Sequence, residues 1–302
     1  MTPCGRLDER QQRMRRTDGP QAPPRSIEPG RARRDRATSP GLPVRSIARA
    51  LRHALPGRQF ELVYQPKVDA RTLQLTSVEA LLRWTHPSFG GLGPDVFVPI
   101  AEQAGTIAPI GDWVMRSALA QAAQWRDAGL DMPVAFNVSG LQMRQGDFAA
   151  SLEQCLAQHA LSAADITCEI TESTALLDTE DTRLAFSHLR RLGVRLSVDD
   201  FGAGHSSLSS LCRLPFRELK LDRFFAEEVL HGKPARIIVK AVIDMAHALG
   251  VRVVAEGVET VAQRDLLLEA CCDELQGYHF AQPMSASALF AWARRRAVGL
   301  AA

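Results

Sequence analysis

Seven strand-like runs in this chain of 302 residues each carry one polar residue at or near their end. Helix-like segments separate most of these runs, and strands that alternate with helices pair in parallel. In a closed parallel barrel the C-terminal strand ends meet at one mouth, which carries the chemistry. The spacing therefore predicts that carboxylates, side-chain amides and a lysine converge at such a mouth. These residues are Glu79, Asn137, Glu169, Asp199, Lys220, Glu256 and Gln276.

The alternation predicts an α/β chain folded as a TIM-like (β/α)8 barrel, which needs roughly 250 residues. An early strand is expected to run antiparallel, because a short turn joins the first two. Strands are expected at Phe60–Val68, Leu75–Trp84, 133–138, 165–171, 194–199, 217–221, 251–256 and 273–276. Helices are expected at 44–56, 147–159, 179–192, 205–212, 234–249, 260–270 and 286–297, plus Val96–Ala128 broken at Pro109. The glycines of Gly90–Gly93 are interpreted as a loop without a special role.

Charge divides the chain into two parts. Residues 1–58 hold 14 arginines and five acids, a net +9, so the remainder carries −7 of the overall +2. Residues 1–43 have few large apolar side chains and are expected to form a disordered basic tail. Residues 44–302 are expected to form the barrel domain. Binding of nucleic acid or acidic lipid by the tail is left open, although no nucleic-acid polymer is expected as a partner.

The remaining composition points to an ordinary cytoplasmic protein. Six cysteines show no zinc-ligand spacing and are expected to be reduced thiols. No run approaches the ~18 apolar residues of a membrane span, and the first residues lack the apolar stretch of a secretory signal.

The oxygen-rich ligand set favours a hard divalent cation. Glu79, Asn137, Glu169 and Asp199 come from four different strands, and oxygen donors without Cys or His favour Mg²⁺ or Mn²⁺ over zinc. Each acid alone could be a helix cap or an ion-pair partner. Acids buried together on several strands are costly without cations.

Two further features suggest phosphoryl chemistry. Asp199 and Asp200 point to opposite faces of a regular strand, so they could reach two cations, although an Asx turn is the alternative. Two cations about 3.5–4 Å apart suit phosphoryl hydrolysis. Lys220 is one of four lysines against 32 arginines and is interpreted as catalytic or water-orienting, with a plain ion pair as the alternative. Glu256 is the candidate general base, although an acid here could also cap a helix.

A series of motifs resembles the EAL-domain cyclic-di-GMP phosphodiesterases, whose name is the tripeptide Glu79–Ala80–Leu81. The resemblance covers roughly residues 48–297, and all the motifs occur in order. They are YQP (64–66), SVEALLRWTHP, FNVS (136–139), EITES (169–173), DDFG (199–202), LKLD (219–222), AEGVE (255–259) and QGY (276–278).

The resemblance implies hydrolysis of cyclic di-GMP to linear pGpG in bacterial second-messenger signalling, with two Mg²⁺ or Mn²⁺ ions. Glu79, Asn137, Glu169 and Asp199 match the ligands of one ion, and Asp199 with Asp200 those of the second. Lys220 resembles the lysine that positions the water, Glu256 the catalytic glutamate, and Glu172 the glutamate that holds the loop after Asp200. The implied nucleotide contacts are Gln65, Leu81, Arg83, Asp222 and Glu259, and Gln276 matches a glutamine of the metal and water network.

Two other functions remain open. A member of this family that has lost site residues is a non-catalytic receptor, but here none is missing. A regulatory protein acting through its tail and barrel surface is the other possibility. The loop Asp200–Leu208 has His205 where the family most often has tyrosine, and the resemblance implies a homodimer through this loop.

Overall fold

The computed structural model describes residues 43–144, 146–175, 179–202 and 216–299. The predicted tail over residues 1–42, the helix predicted at 205–212 and His205 lie outside these ranges. Within them, no helix is both long enough and apolar enough to cross a membrane. Among the described cysteines, Cys155, Cys168 and Cys272 are free thiols and are buried.

Strands and helices alternate along most of the described chain. The strands are β1 (Phe60–Asp69), β2 (Leu75–His86), β3 (Gly90–Leu92), β4 (Val134–Asn137), β5 (Ile166–Thr171), β6 (Arg195–Phe201), β7 (Glu218–Leu221), β8 (Arg252–Ala255) and β9 (Glu274–Gln276). The helices are α1 (Val44–Ala54), α2 (Pro94–Gln103), α3 (Ile107–Asp127), α4 (Gly140–Arg144), α5 (Phe148–His159), α6 (Glu172–Ala175), α7 (Glu180–Leu192), α8 (Arg223–Glu228), α9 (Lys233–Ala248), α10 (Val261–Glu269) and α11 (Ala286–Gly299). A 3₁₀ turn at Ala163–Asp165 precedes β5.

Eight of the strands close into a barrel. The order is β1-β9-β8-β7-β6-β5-β4-β2, and β1 also pairs with β2. Strand β1 is antiparallel to both neighbours, whereas the other barrel pairs are parallel. The predicted barrel with an antiparallel early strand is therefore confirmed.

The inside of the barrel is polar. Along β6, Leu196 and Val198 join the apolar core between sheet and helices, whereas Ser197 and Asp199 do not, although both are buried. Alternate strand residues face opposite sides, so the second pair faces the barrel axis. Barrels of this type usually fill their interior with branched apolar side chains. A buried polar interior is costly unless its groups are paired, so the polar groups of this interior are candidates for a functional site.

A second apolar core packs against the hairpin formed by β1 and β2. Ile47 and Leu51 of α1 pack in one cluster with Trp84 of β2 and Phe97 of α2, and the Trp84 and Phe97 rings are 5.5 Å apart. Strand β2 reaches this cluster because it continues beyond the barrel mouth and pairs there with β3. Helix α1 is thus packed against β2 and α2.

Two local predictions are wrong. The long helical stretch breaks at Ala104–Thr106, where Gly105 has φ of +68°, and not at Pro109. Pro109 lies in the first turn of α3, where its missing N–H has no helical partner to lose. Gly90–Leu92 is not a plain loop but strand β3, whose residues pair with Trp84–His86.

Candidate active site

The predicted polar residues meet at the mouth of the barrel. Glu169, Asp199 and Lys220 lie on the inward side of β5, β6 and β7. Asn137 and Gln276 end β4 and β9, and Glu256 directly follows β8. Glu79 departs from the prediction, because it lies in the middle of β2 and not at its end. It reaches the same level because β2 extends past the mouth, and its register partner on β4 is Ala135.

Lys220 is the centre of this cluster. Its Nζ lies 2.7 Å from Glu256 Oε1 and 2.9 Å from Glu169 Oε2. It also lies 3.1 Å from Asp199 Oδ1 and 3.2 Å from Glu79 Oε2. The Lys220 side chain is 1% exposed, so these four contacts replace the water that an ammonium group requires.

The surrounding charges determine the protonation of Lys220 and Glu169. Desolvation by itself would lower the pKa of Lys220, but attraction by the four carboxylates outweighs it and holds the pKa well above its ordinary value. Desolvation would likewise raise the pKa of Glu169, but the charges of Lys220 and Lys67 lower it to about 2. Lys220 therefore remains a cation and Glu169 an anion at neutral pH.

Glu79 and Glu256 have the opposite tendency. Desolvation and repulsion by Glu169 raise the pKa of Glu79 to about 7, against the attraction of Lys220. Desolvation raises the pKa of Glu256 to about 8, again against Lys220. Carboxyl groups whose pKa values lie near neutrality, at the mouth of a cleft, are candidates for proton transfer.

Side-chain amides hold Glu79 in place. Asn137 Nδ2 donates to Glu79 Oε1 at 3.0 Å, and Gln276 Nε2 donates to Glu79 Oε2 at 2.9 Å. Gln276 Nε2 also donates to Gln65 Oε1 at 3.1 Å. Gln276 Oε1 has no hydrogen-bond partner among the described residues, although it is buried. This acceptor is available to a donor that enters the mouth.

A β-bulge joins Asp200 to the cluster. The register of β6 and β7 shifts between Val198 and Phe201, and Asp200 has a left-handed φ of +56°. Strict alternation would have turned Asp200 away from Asp199, but bulges redirect side chains in this way. The backbone N–H of Asp200 donates to Asp199 Oδ1 at 2.9 Å. The two acids thus act from one side of the sheet, which corrects the prediction of opposite faces.

Glu172 contacts the segment that follows this bulge. Its Oε2 accepts a hydrogen bond from the Gly202 backbone N–H at 3.3 Å, and the Glu172 residue is 6% exposed. Gly202 is the last described residue before the gap at 203–215. The rest of the loop after Asp200, including the predicted dimer contact, lies in that gap.

A cavity of about 400 Å³ opens above the acids. Four of the predicted nucleotide contacts, Gln65, Leu81, Asp222 and Glu259, line it together with Gln276. Arg83 is not among the lining residues, and its Nη1 donates to the Leu82 carbonyl. Arg223 and Tyr278 also line the cavity, although neither was a predicted site residue. A signal was present in the sequence, because Arg223 directly follows the LKLD motif and Tyr278 is the last residue of the QGY motif.

For Asp222 and Glu256, two acids near the mouth, the structure shows whether each residue caps a helix. Asp222 is the N-cap of α8 and accepts from the Phe224 N–H at 2.8 Å, so it combines a structural contact with its place in the cavity. Glu256 is not a cap, since α10 is capped by Thr260 in a capping box with Gln263.

The donor set suits divalent cations. Carboxylate oxygens of Glu79, Glu169 and Asp199 all lie within 4.8 Å of one another, and so do those of Asp199, Asp200 and Glu256. These groups offer only oxygen ligands, which Mg²⁺, Mn²⁺ and Ca²⁺ prefer. The two groups share Asp199, as a pair of neighbouring cations requires. The residues present therefore fit a metal site.

Lys67 belongs to the cluster although it was not a predicted site residue. This lysine of β1 is 0% exposed, and its Nζ lies 2.7 Å from Glu169 Oε1 and 2.9 Å from Glu218 Oε1. A signal was present, because Lys67 is also one of the four lysines in an arginine-rich chain. The same argument that selected Lys220 could have selected it.

Comparison with protein families supports the resemblance. The family model described as EAL domain matches residues 48–283. The bifunctional diguanylate cyclase/cyclic di-GMP phosphodiesterase MucR of Pseudomonas aeruginosa is 43% identical over 242 residues, which are 80% of this chain and 35% of that protein. A second Pseudomonas aeruginosa protein, named a cyclic di-GMP phosphodiesterase, is 40% identical over 236 residues, 78% of this chain and 40% of its own.

A solved structure has the same fold. The structure of the PaMucR phosphodiesterase in complex with c-di-GMP matches with a TM-score of 0.76 and 42% identity, and the match covers 81% of this chain and 99% of that one. The chain thus spans well under half the length of the two curated relatives and nearly all of this solved domain.

Proposed function

Because the chain belongs to the EAL-domain family, we propose that it is a metal-dependent phosphodiesterase that hydrolyses cyclic di-GMP to linear pGpG in the bacterial cytoplasm. Two relatives at 43% and 40% identity carry a cyclic di-GMP phosphodiesterase activity in their names. The observation that carries the proposal is the complete acidic cluster around Lys220. A receptor that only binds the nucleotide has little need for a buried lysine joined to four carboxylates.

The proposed cation ligands follow from the cluster. Glu79, Asn137, Glu169 and Asp199 would hold one Mg²⁺ or Mn²⁺ ion, and Asp199 with Asp200 would hold a second. Bound cations would supply positive charge to the phosphate oxygens and lower the pKa of an attacking water. The position of Asp200 beside Asp199, produced by the bulge, supports this division.

Lys220 and Glu256 are proposed to act on the water. In the overall step, water adds to one phosphorus, the bond from phosphorus to the 3′-oxygen breaks, and a 5′-phosphate and a 3′-hydroxyl result. Lys220 keeps its charge because of the acids around it, so its Nζ can hold the water or a phosphate oxygen by hydrogen bonding. Glu256 lines the cavity 2.7 Å from Lys220 Nζ, and its ionised form is proposed to accept the proton that the water loses.

The cavity walls are proposed to bind the nucleotide. Gln65, Leu81, Asp222 and Glu259 line the space above the acids, and its volume of about 400 Å³ lies within the range of small-molecule sites. Gln276 supports both Glu79 and Gln65 through its amide nitrogen. Arg83 remains a predicted contact.

A direct assay tests the proposal. Purified protein is incubated with cyclic di-GMP and Mg²⁺ or Mn²⁺, and pGpG is followed by chromatography, with EDTA as the control. Formation of pGpG that stops in EDTA is expected. Binding of cyclic di-GMP without product at any concentration of either cation would contradict the proposal and favour the receptor.

The protein is also proposed to form a homodimer through the loop after Asp200. This proposal rests on the resemblance. Light scattering coupled to gel filtration measures the mass directly, and a monomer at concentrations well above those of the assay would contradict it.

A further inference from the structure

A second buried lysine lies one layer below the proposed cation site. Lys67 of β1 is opposite Ser77 of β2, whereas Gln65 is opposite Glu79. Since Ser77 comes two positions before Glu79 on the strand that leads to the mouth, Lys67 lies deeper in the barrel. It is fully buried and has no place in the mechanism above.

Lys67 binds one oxygen of Glu169 and leaves the other to the mouth. Its Nζ is 2.7 Å from Glu169 Oε1, while Lys220 Nζ is 2.9 Å from Glu169 Oε2. The carboxylate is therefore held by one lysine on each oxygen. Of the two oxygens, only Oε2 contacts Lys220 at the mouth.

The contact between Lys67 and Glu169 is anchored from the far side. Lys67 Nζ also lies 2.9 Å from Oε1 of Glu218, the first residue of β7. Glu218 is 14% exposed in its side chain and Glu169 is 0% exposed. A buried cation between two such carboxylates is strongly held, because moving it would take the counter-charge from Glu218 and leave Glu169 with Lys220 alone.

We propose that Lys67 is a positioning residue that keeps Glu169 a one-oxygen ligand and thereby favours Mg²⁺ and Mn²⁺ over Ca²⁺. The inference rests on the proposed cation site. Mg²⁺ takes six ligands in a strict octahedron, whereas Ca²⁺ takes six to eight and readily uses both oxygens of one carboxylate. A lysine on Glu169 Oε1 removes that second oxygen from the coordination sphere.

Cation binding to the metal-free full chain tests the role of Lys67 without an activity assay. Titration calorimetry measures the dissociation constants of Mg²⁺ and Ca²⁺ for the wild type, Lys67→Met and the control Lys240→Met. Lys240 pairs with Asp244 on the outside of α9. We expect the preference for Mg²⁺ over Ca²⁺ to fall by about tenfold in Lys67→Met, within the range for replacing a residue that hydrogen-bonds to a metal ligand, and to stay unchanged in the control.

An equal weakening of both cations in Lys67→Met would overturn the proposal, because it would indicate a general loss of packing. Circular dichroism establishes that the variant is folded. A wild type that binds neither cation would overturn this proposal together with the proposed function. A wild type that binds Mg²⁺, with a Lys67→Met variant of unchanged preference, would overturn this proposal alone.

A second measurement needs no variant. Crystals of the wild type grown with Mg²⁺ and with Ca²⁺ reveal how many oxygens of Glu169 contact the cation. One oxygen is expected in both, with the other still on Lys67. Two oxygens of Glu169 on either cation would overturn the proposal.

Discussion

Lys220 Nζ lies 2.7 Å from Glu256 Oε1, the shortest of its four carboxylate contacts. The remaining contacts, to Glu169, Asp199 and Glu79, are 2.9–3.2 Å long. Glu256 keeps 21% of its side chain exposed, whereas Lys220 keeps 1%. Lys220 thus lies among the buried acids, while Glu256 lies at the edge of the open cavity, where a water molecule and a phosphate can enter.

Replacing Glu256 should separate chemistry from binding. Glu256→Ala is expected to reduce kcat by about 10²–10⁴, the range for loss of a general base, with little change in the dissociation constant of cyclic di-GMP. Glu259→Ala, in the same segment but exposed at the cavity wall, is expected to raise KM more than it lowers kcat. Steady-state kinetics and calorimetry measure both. Equal loss of binding in Glu256→Ala would make that residue structural.

Glu79→Ala should abolish turnover. The substitution removes one proposed cation ligand and the acceptor of the Asn137 and Gln276 hydrogen bonds. The rate should therefore fall by more than about 100-fold, which exceeds the usual loss for a residue that only supports a ligand. Glu269→Ala, at the exposed end of α10, is the control. A near-normal rate at saturating Mg²⁺ would refute the ligand role of Glu79.

The stability of a Lys220 variant should depend on divalent cations. Lys220→Met leaves buried carboxylates without their counter-charge, which should cost about 3–5 kcal/mol of unfolding free energy in EDTA. The loss should be smaller in Mg²⁺ if cations bind the same acids. Urea unfolding in EDTA and in Mg²⁺ measures this difference, and Lys240→Met should change stability by less than about 1 kcal/mol. A loss in Lys220→Met that is identical in both buffers would argue against cation binding.

Substitutions at two glycines distinguish the cost of backbone strain from the cost of a steric clash. Gly250 and Gly257 both have left-handed φ values, +73° and +66°. A Cβ atom at Gly250 would have no atom within 4 Å, whereas a Cβ atom at Gly257 would lie 2.4 Å from Arg223 Cβ. Gly250→Ala should cost about 1–2 kcal/mol with unchanged KM. Gly257→Ala should cost about 1–3 kcal/mol more and raise KM, because it displaces Arg223 from the cavity wall. Equal effects on stability and KM would show that the overlap is relieved elsewhere.

Helix α1 should contribute to the stability of the domain. Leu51 is 2% exposed in the second core, so Leu51→Ala should cost about 2–5 kcal/mol. Arg52→Ala, on the exposed side of the same helix, should change stability by about 0.5 kcal/mol or less. Thermal and urea unfolding give both values. A negligible loss of unfolding free energy in Leu51→Ala would show that α1 does not contribute to the stability of the folded domain.

Much of the site could be predicted because its signals are local. The strand ends bearing Asn137, Lys220 and Gln276 follow from short apolar runs, and parallel strands necessarily bring such ends to one mouth. The position of Glu79 could not be placed correctly. Whether β2 ends at the mouth or runs past it depends on α1, α2 and β3, which cover its outer half.

The amino-acid sequence by itself determined the alternation of strands and helices, the barrel class and the identity of the acids that meet at its mouth, because these depend on periodicity and residue type. Only the tertiary structure decided that Asp200 joins Asp199 from the same side, since a bulge depends on how β6 pairs with β7. It also decided that Lys67 lies beneath Glu169. The salt bridges of Lys67 to Glu169 of β5 and Glu218 of β7 form only when the barrel closes, because closure brings these distant strands together and buries their charges.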